Sequence, residues 1–258
     1  MSQMIALAGF GFLLGMRHAT DADHVIAVTT ILNRSRRFLD TTLIGALWGL
    51  GHTITVVIVG VLIIGFNVVI PPALGLAMEF AVALMLIGLG ILNLTGGLGA
   101  LTERLTPPAP MHSHDHAHAG AGGAHTHLHG HGSDERLAGG GVVATFGWYQ
   151  LVRPVAVGLV HGLAGSAAVA LLVLATIQDT GTALAYLVIF CIGVAAGMTI
   201  LTTVIGLPFL LSSTKSAQIN RWLTIGSGVL SLAFGLLLAY EIGIGGGLFT
   251  GDFNREPA

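Results

Sequence analysis

The chain has 258 residues, of which 53 % are hydrophobic and only 9 % charged, with a formal net charge of −2. Soluble domains carry about 25 % charged residues, so this composition excludes a water-exposed globular surface and indicates a polytopic membrane protein. Ten Lys and Arg in all exclude the basic face of a nucleic-acid binder, and a single cysteine, Cys191, excludes an internal disulfide or a CxxC redox centre.

A helix needs about 20 residues to cross a hydrocarbon core. Six apolar segments meet that length, near residues 4–32, 41–66, 73–98, 148–177, 181–211 and 219–243. The first and fourth are over-long and carry polar or glycine-rich interruptions, so a tilt or a break is expected in each. No Lys or Arg precedes the first apolar run, which speaks against a cleavable signal peptide. Arg34, Arg36 and Arg37 lie in the first connection, Arg104 and Arg136 in the third, with Arg153 just beyond it, and Lys215 and Arg221 in the fifth; the second and fourth hold none. The positive-inside rule places the odd connections in the cytoplasm and both termini outside the cell membrane.

The two halves repeat. Gly15-Met-Arg-His18 aligns with Gly158-Leu-Val-His161 at an offset of 143 residues, Gly51-His52-Thr53-Ile54 with Gly197-Met198-Thr199-Ile200 at 146, and Gly88-Leu-Gly-Ile-Leu with Gly235-Leu-Leu-Leu-Ala at 147. Three spans per copy is an odd number, so the second copy inserts upside down, as in transporters whose site lies at the repeat interface near the midplane. The expected fold is therefore all-α, six transmembrane helices in two inverted three-helix repeats: residues 1–98, a loop at 99–147, the second repeat at 148–243 and a short tail at 244–258.

Within the first apolar segment stands Arg17-His18-Ala-Thr-Asp21-Ala-Asp23-His24. Ionisable groups at that depth cost about 2.5–3.5 kcal/mol each on insertion scales and mark ion or substrate pathways. His18, His52 and His161 fall at similar depths, near the bilayer centre, given a rise of about 1.5 Å per residue. On an unbroken helix Arg17, His18, Asp21 and His24 share a face, whereas Asp23 points away; it then meets a neighbouring helix or the helix is broken. Imidazole with carboxylate suits nickel, cobalt, copper or zinc, and the lack of thiolate disfavours copper(I). The candidate metal residues are His18, Asp21, Asp23, His24, His52 and His161, with Arg17 pairing to Asp21 or Asp23 when no metal is present. A proton relay and a purely structural polar network are the competing readings of the same residues. Glu79, Asp179 and Glu241 would form an acidic outer vestibule.

The 99–147 connection carries His112, His114, His116, His118, His125, His127, His129 and His131 among Gly, Ala and Ser. Such a stretch cannot bury a core and is expected to be disordered, with its histidines binding transition metal loosely.

His18-x4-Asp23-His24 resembles the His-x4-Asp-His signature of the nickel/cobalt transporter family, and Leu50-Gly51-His52-Thr53 is similar to that family's second signature. The closest likeness is to its short, UreH-like urease-accessory branch of nickel permeases. The resemblance implies a membrane permease for nickel or cobalt, with His18, Asp21, Asp23 and His24 selecting the metal and His52 contributing. Larger members have about eight spans, and their acidic motif in the second half is replaced here by His161-Gly-Leu-Ala-Gly-Ser166. No nucleotide-binding motif, nucleophile–base pair or prosthetic-group motif is present. Secondary uptake of Ni2+ or Co2+ is thus expected rather than enzymatic activity, with delivery to urease or hydrogenase assembly proteins by resemblance. Efflux, or a non-transporting metal sensor or accessory subunit, remain the alternatives.

Overall fold

The computed structural model describes residues 2–32, 38–66, 70–97, 101, 104, 111–116, 125–130, 148–162, 173–174, 176–215 and 217–251. The chain forms two compact units, residues 1–98 with 153–258, and residues 99–152.

The first unit is helical. The expected first span is two helices, α1 (Ser2–His18) and α2 (Ala22–Leu32). The α-helical ladder ends in tight turns, with Thr20 N donating to Arg17 O at 2.9 Å and Asp21 N to His18 O at 3.1 Å. The hydroxyl of Thr20 also donates to Arg17 O at 2.6 Å, and α2 restarts with Val25 N donating to Asp21 O. Irregular backbone at membrane depth survives only where protein or a polar cavity satisfies it, and these bonds do so. At the other end of α2, Arg153 Nη2 donates to Ile31 O.

Helix α3 (Phe38–Phe66) has 29 residues, about 44 Å at the standard rise. Helix α4 (Pro72–Leu94) starts with proline at its first position, where the missing N–H costs nothing. Helix α5 (Trp148–His161) is followed by residues outside the described set. Helix α6 (Thr180–Lys215) is capped by Asp179, whose carboxylate accepts from Thr182 N and Thr182 Oγ1 at 2.7 and 2.6 Å. These bonds hold the Asp179 carboxyl below the usual carboxylate range. Helix α7 (Ala217–Tyr240) runs on into a π-helical turn, Glu241–Gly245. Among the described residues four helices are long and apolar enough to cross a membrane: Phe38–Phe66, Pro72–Leu94, Thr180–Leu211 and Gln218–Gly245. Of the six expected spans, the first is divided between α1 and α2, and the fourth extends past α5 beyond the described residues.

Helix α6 packs against α1, α2 and α3, and α7 against α2 and α4. Missing side chains allow close approach at several helix contacts, among them α1 with α6 and α3 with α5. A Cβ at Gly15 would collide with Phe190 O and one at Gly193 with Phe12 O, joining α1 to α6. A Cβ at Gly51 would collide with Val155 O and one at Gly158 with Trp48 O, joining α3 to α5. Lipid supplies no hydrophobic drive between helices, so such close approach is a main source of association. The two seams use equivalent positions: Phe12 and Gly15 match Val155 and Gly158 at an offset of 143, and Trp48 and Gly51 match Phe190 and Gly193 at 142. The second offset differs from the sequence match at Gly197 by four residues, about one helical turn. The α4–α7 seam adds polar bonds to such glycine contacts at Gly90 and Gly235: Asn93 Nδ2 donates to Thr224 O and Ser227 Oγ, and Ser231 Oγ to Leu86 O.

The second unit holds an antiparallel pair, β1 (Met111–His116) and β2 (His125–Gly130), in a register that sets His112 opposite His129, His114 opposite His127 and His116 opposite His125. These residues pair as strands within the stretch read from composition as disordered, while the first unit is helical, as the all-α reading expects. Histidine at alternate positions has the two-residue period of a strand. His118 and His131 lie outside the described residues.

The glycine seams predict a differential melting result in detergent. Gly51→Ala and Gly158→Ala should each lower stability by about 1–3 kcal/mol through overpacking. Gly9→Ala and Gly88→Ala, whose added Cβ meets nothing within 4 Å, should leave the melting temperature unchanged.

Candidate metal centre

The break between α1 and α2 brings six expected residues together. His18 closes α1, His161 closes α5, His24 stands in the first turn of α2, and His52 lies midway along α3. All four imidazoles are buried. His24 is the hub: its ring centroid lies 4.2 Å from that of His161, 4.7 Å from His18 and 5.2 Å from His52. The two helices that end here, α1 and α5, both present their C-terminal, partially negative ends, which favours a cation.

The two aspartates are bound to imidazoles. His18 Nδ1 donates to Asp21 Oδ2 at 3.0 Å. Asp23 accepts three bonds: Oδ1 from His24 N at 2.9 Å and His24 Nδ1 at 3.0 Å, and Oδ2 from His161 Nε2 at 2.9 Å. The break therefore resolves the orientation of Asp23, which meets both its chain neighbour and α5. The side chain of Asp21 is 40 % exposed and that of Asp23 14 %, so Asp21 forms the open rim of the cluster. Arg17 is exposed, and the ion pairs described for both aspartates are with imidazoles. The expected Arg17–carboxylate pairing is replaced because the tight turn at residues 19–21 points Asp21 back along α1 toward His18.

Carboxylates only accept, and a neutral imidazole has one N–H and one lone pair. The nitrogens facing Asp21 and Asp23 thus carry the protons. His24 Nε2, His52 Nδ1 and His161 Nδ1 are buried with no hydrogen-bond partner, while His18 Nε2 and His52 Nε2 lie 3.0 Å apart. In metal sites an imidazole ligand commonly donates its other ring N–H to a carboxylate in this way, which leaves the lone pair turned toward the ion. Two groups of three ligand atoms, each within 4.8 Å of one another, arise here: His18, His24 and His52, and Asp23, His24 and His161. No thiolate joins them; Cys191 is buried in α6.

Two further residues shape the site. Trp48, fully buried, sets its ring 5.4 Å from His24 and 5.7 Å from His161, and Phe190 lies 6.0 Å from His18. Sequence reading passed over both, although Trp48 precedes His52 by four residues and so shares its helix face. Gly162 lets α5 end against the His52 carbonyl, where a Cβ would sit 2.6 Å from the oxygen.

The chain has matches among known proteins. The family model NicO, high-affinity nickel-transport protein, covers residues 4–220. The chain belongs to the NicO family. It is also 34 % identical, over 95 % of its own length and 96 % of the relative's, to the urease accessory protein UreH of Bacillus sp. (strain TB-90). No solved structure matches it. NicO proteins are transporters, so this chain is a membrane transport protein and not an enzyme.

If Asp23 fixes the imidazoles, removing its carboxylate leaves three N–H groups without an acceptor. In metal-free detergent solution Asp23→Ala should destabilise the protein by about 1–3 kcal/mol per orphaned donor, Asp23→Asn by less because one acceptor oxygen remains, and Asp21→Asn least. Equal melting of all three would contradict this division of roles.

Proposed function

We propose that this NicO protein is a secondary uptake permease for Ni2+ or Co2+, with the His/Asp cluster as the place where the ion sheds water inside the membrane. The observation that carries the reading is the set of buried imidazole nitrogens without partners beside two carboxylates. With neutral imidazoles and Arg17 outside, the empty cluster carries −2, and a dication brings it to zero. A monovalent cation leaves a residual charge in a low-dielectric setting, and an unpaired buried charge is strongly unfavourable. Imidazole and carboxylate favour a transition ion over calcium or magnesium, which take all-oxygen cages.

Inside-negative potential favours entry of a dication by about 4–5 kcal/mol per 100 mV, twice the single-charge value, so no nucleotide is required. The architecture that fits is two inverted three-helix repeats, residues 1–98 and 148–243, and the equivalent glycine contacts at offsets of 143 and 142 support it. The Lys/Arg distribution supports cytoplasmic placement of the 99–147 segment and outward termini in the cell membrane. The paired histidines of β1 and β2 would then buffer the arriving ion. The UreH relative supports handing nickel to urease assembly proteins; a hydrogenase pathway would accept the same ion.

In cells without another nickel importer, expression of this chain should raise radioactive nickel accumulation. His24→Ala and Asp21→Asn should each remove at least about 90 % of the gain, a loss within the range for ligand or orienting residues, with membrane levels unchanged. Accumulation below that of empty-vector cells would indicate efflux instead, and wild-type accumulation by both variants would reject the cluster as the site.

A further inference from the structure

Of the acids expected on the outer side, Asp179 and Glu241 are exposed, whereas Glu79 is half-buried. It is the one charged residue of α4. The buried residues of that helix are Val82, Ala83, Leu86, Leu89, Gly90 and Asn93, and positions three, four and seven apart share a helix face. Glu79 therefore stands in line with Val82, Ala83 and Leu86, where the buried stripe would next call for an apolar side chain. The helix packs against α2 and α7. Asp23, in the first turn of α2, is near enough for its charge and that of Glu79 to repel.

We propose that Glu79 is the loading residue of the metal centre: its carboxylate draws a divalent cation in from the 67–71 side, between α4 and the start of α2, and passes it to Asp23. This rests on the transport reading above and adds to it the side of entry and the residue that governs capture. Glu79 belongs to neither ligand group of the centre, so it acts as a positioning residue, through Asp23.

Three observations carry it. The first is depth: Glu79 follows the start of α4 at Pro72 by about 10 Å along the axis, which sets it between the 67–71 connection and the cluster. The second is the lack of compensation. Residues 67–97 and 223–251 contain no Lys or Arg, and among the described residues no hydrogen bond or ion pair holds the Glu79 carboxylate. An acid that only locked helices together would be paired; an unpaired one inside a span marks an ion pathway. The third is the closure of the other flank of α4. Phe80 meets Phe249 edge-on at 5.2 Å, and Ala83 and Ile87 lie against Gly235 of α7, whereas the flank toward α2 leads to Asp23 and its imidazoles. Two carboxylates that repel each other both attract a dication placed between them, and apolar walls focus that field and raise the local ion concentration. The effect falls on capture from dilute solution. Once Asp23 and the imidazoles hold the ion, Glu79 adds little to its onward movement.

The test uses the purified full-length chain, in proteoliposomes for potential-driven Co2+ flux and in detergent for melting and for Co2+ binding by equilibrium dialysis. Glu79→Gln should raise KM by about tenfold or more, the scale of electrostatic focusing, with a smaller effect on the maximal rate and with Co2+ still bound at saturation. Its melting temperature without metal should be no lower than that of the wild type, because the repulsion on Asp23 is gone; a lower one would mark a structural role and count against the proposal. Glu79→Asp keeps the charge and should stay near the wild-type KM. Glu79→Cys gives a second reading, since the native Cys191 is buried. The anionic sulfonatoethyl methanethiosulfonate should lower the KM of that variant, and the cationic trimethylammonioethyl reagent should raise it. A wild-type KM in Glu79→Gln, equal impairment in Glu79→Asp and Glu79→Gln, or the same response to both reagents would overturn the loading role while leaving the transport reading intact. So would loss of saturating Co2+ binding in Glu79→Gln, which would make Glu79 a ligand of the centre itself. A wild type that carries neither Co2+ nor Ni2+ would overturn the transport reading, and the loading role with it.

Discussion

Bare imidazole lone pairs enclosed in an apolar helix bundle are the constraint on which the rest of this molecule turns. Asp21 and Asp23 hold the N–H sides of His18, His24 and His161, and nothing in the described protein meets the far nitrogens of His24, His52 and His161. A polar network that served only to lock helices would be expected to close on itself, since a buried group left unsatisfied costs about 1–3 kcal/mol. This one stays open on the side where a metal would bind, and its two carboxylates carry the charge that a dication cancels.

The fold exists to keep that opening in place. A helix that ran unbroken from residue 2 to 32 would turn Asp23 away from His18 and His24; the tight turn at 19–21 turns it toward His161 instead. Gly51 and Gly158 bring α3 and α5 close enough for His52 and His161 to face the same hub, and Gly15 and Gly193 do the same for α1 and α6. Trp48 and Phe190 then wall the rings with aromatic surface, which excludes water and strengthens every electrostatic term inside. The lipid-facing sides of α3, α4, α6 and α7 carry exposed Leu, Ile, Val and Phe, as a bilayer requires.

Much of the centre was legible because ionisable residues in a greasy sequence are conspicuous. His18, His24 and His52 stood out by cost and depth, and His161 by its match to His18 at an offset of 143. The partnership of Asp23 with His161 was not legible, because it depends on a backbone break whose dihedrals no spacing rule encodes. The role of Arg17 was misread for the same reason: proximity in sequence suggested a pair that the turn prevents. Trp48 was overlooked because an aromatic in an apolar helix looks like ordinary core. The helix pairing at Gly193 rather than Gly197 was hidden by the abundance of glycine, and the paired strands at 111–116 and 125–130 by reading composition where the alternation of His112, His114 and His116 carried a strand period.

The most direct measurement is nickel K-edge X-ray absorption on the full-length protein loaded with one equivalent of Ni2+. An ion held by this cluster must show the multiple-scattering signature of imidazole nitrogens in its first shell, and that signature must vanish in His24→Gln. A shell of water oxygens alone, or imidazole scattering that survives His24→Gln, would contradict the central claim.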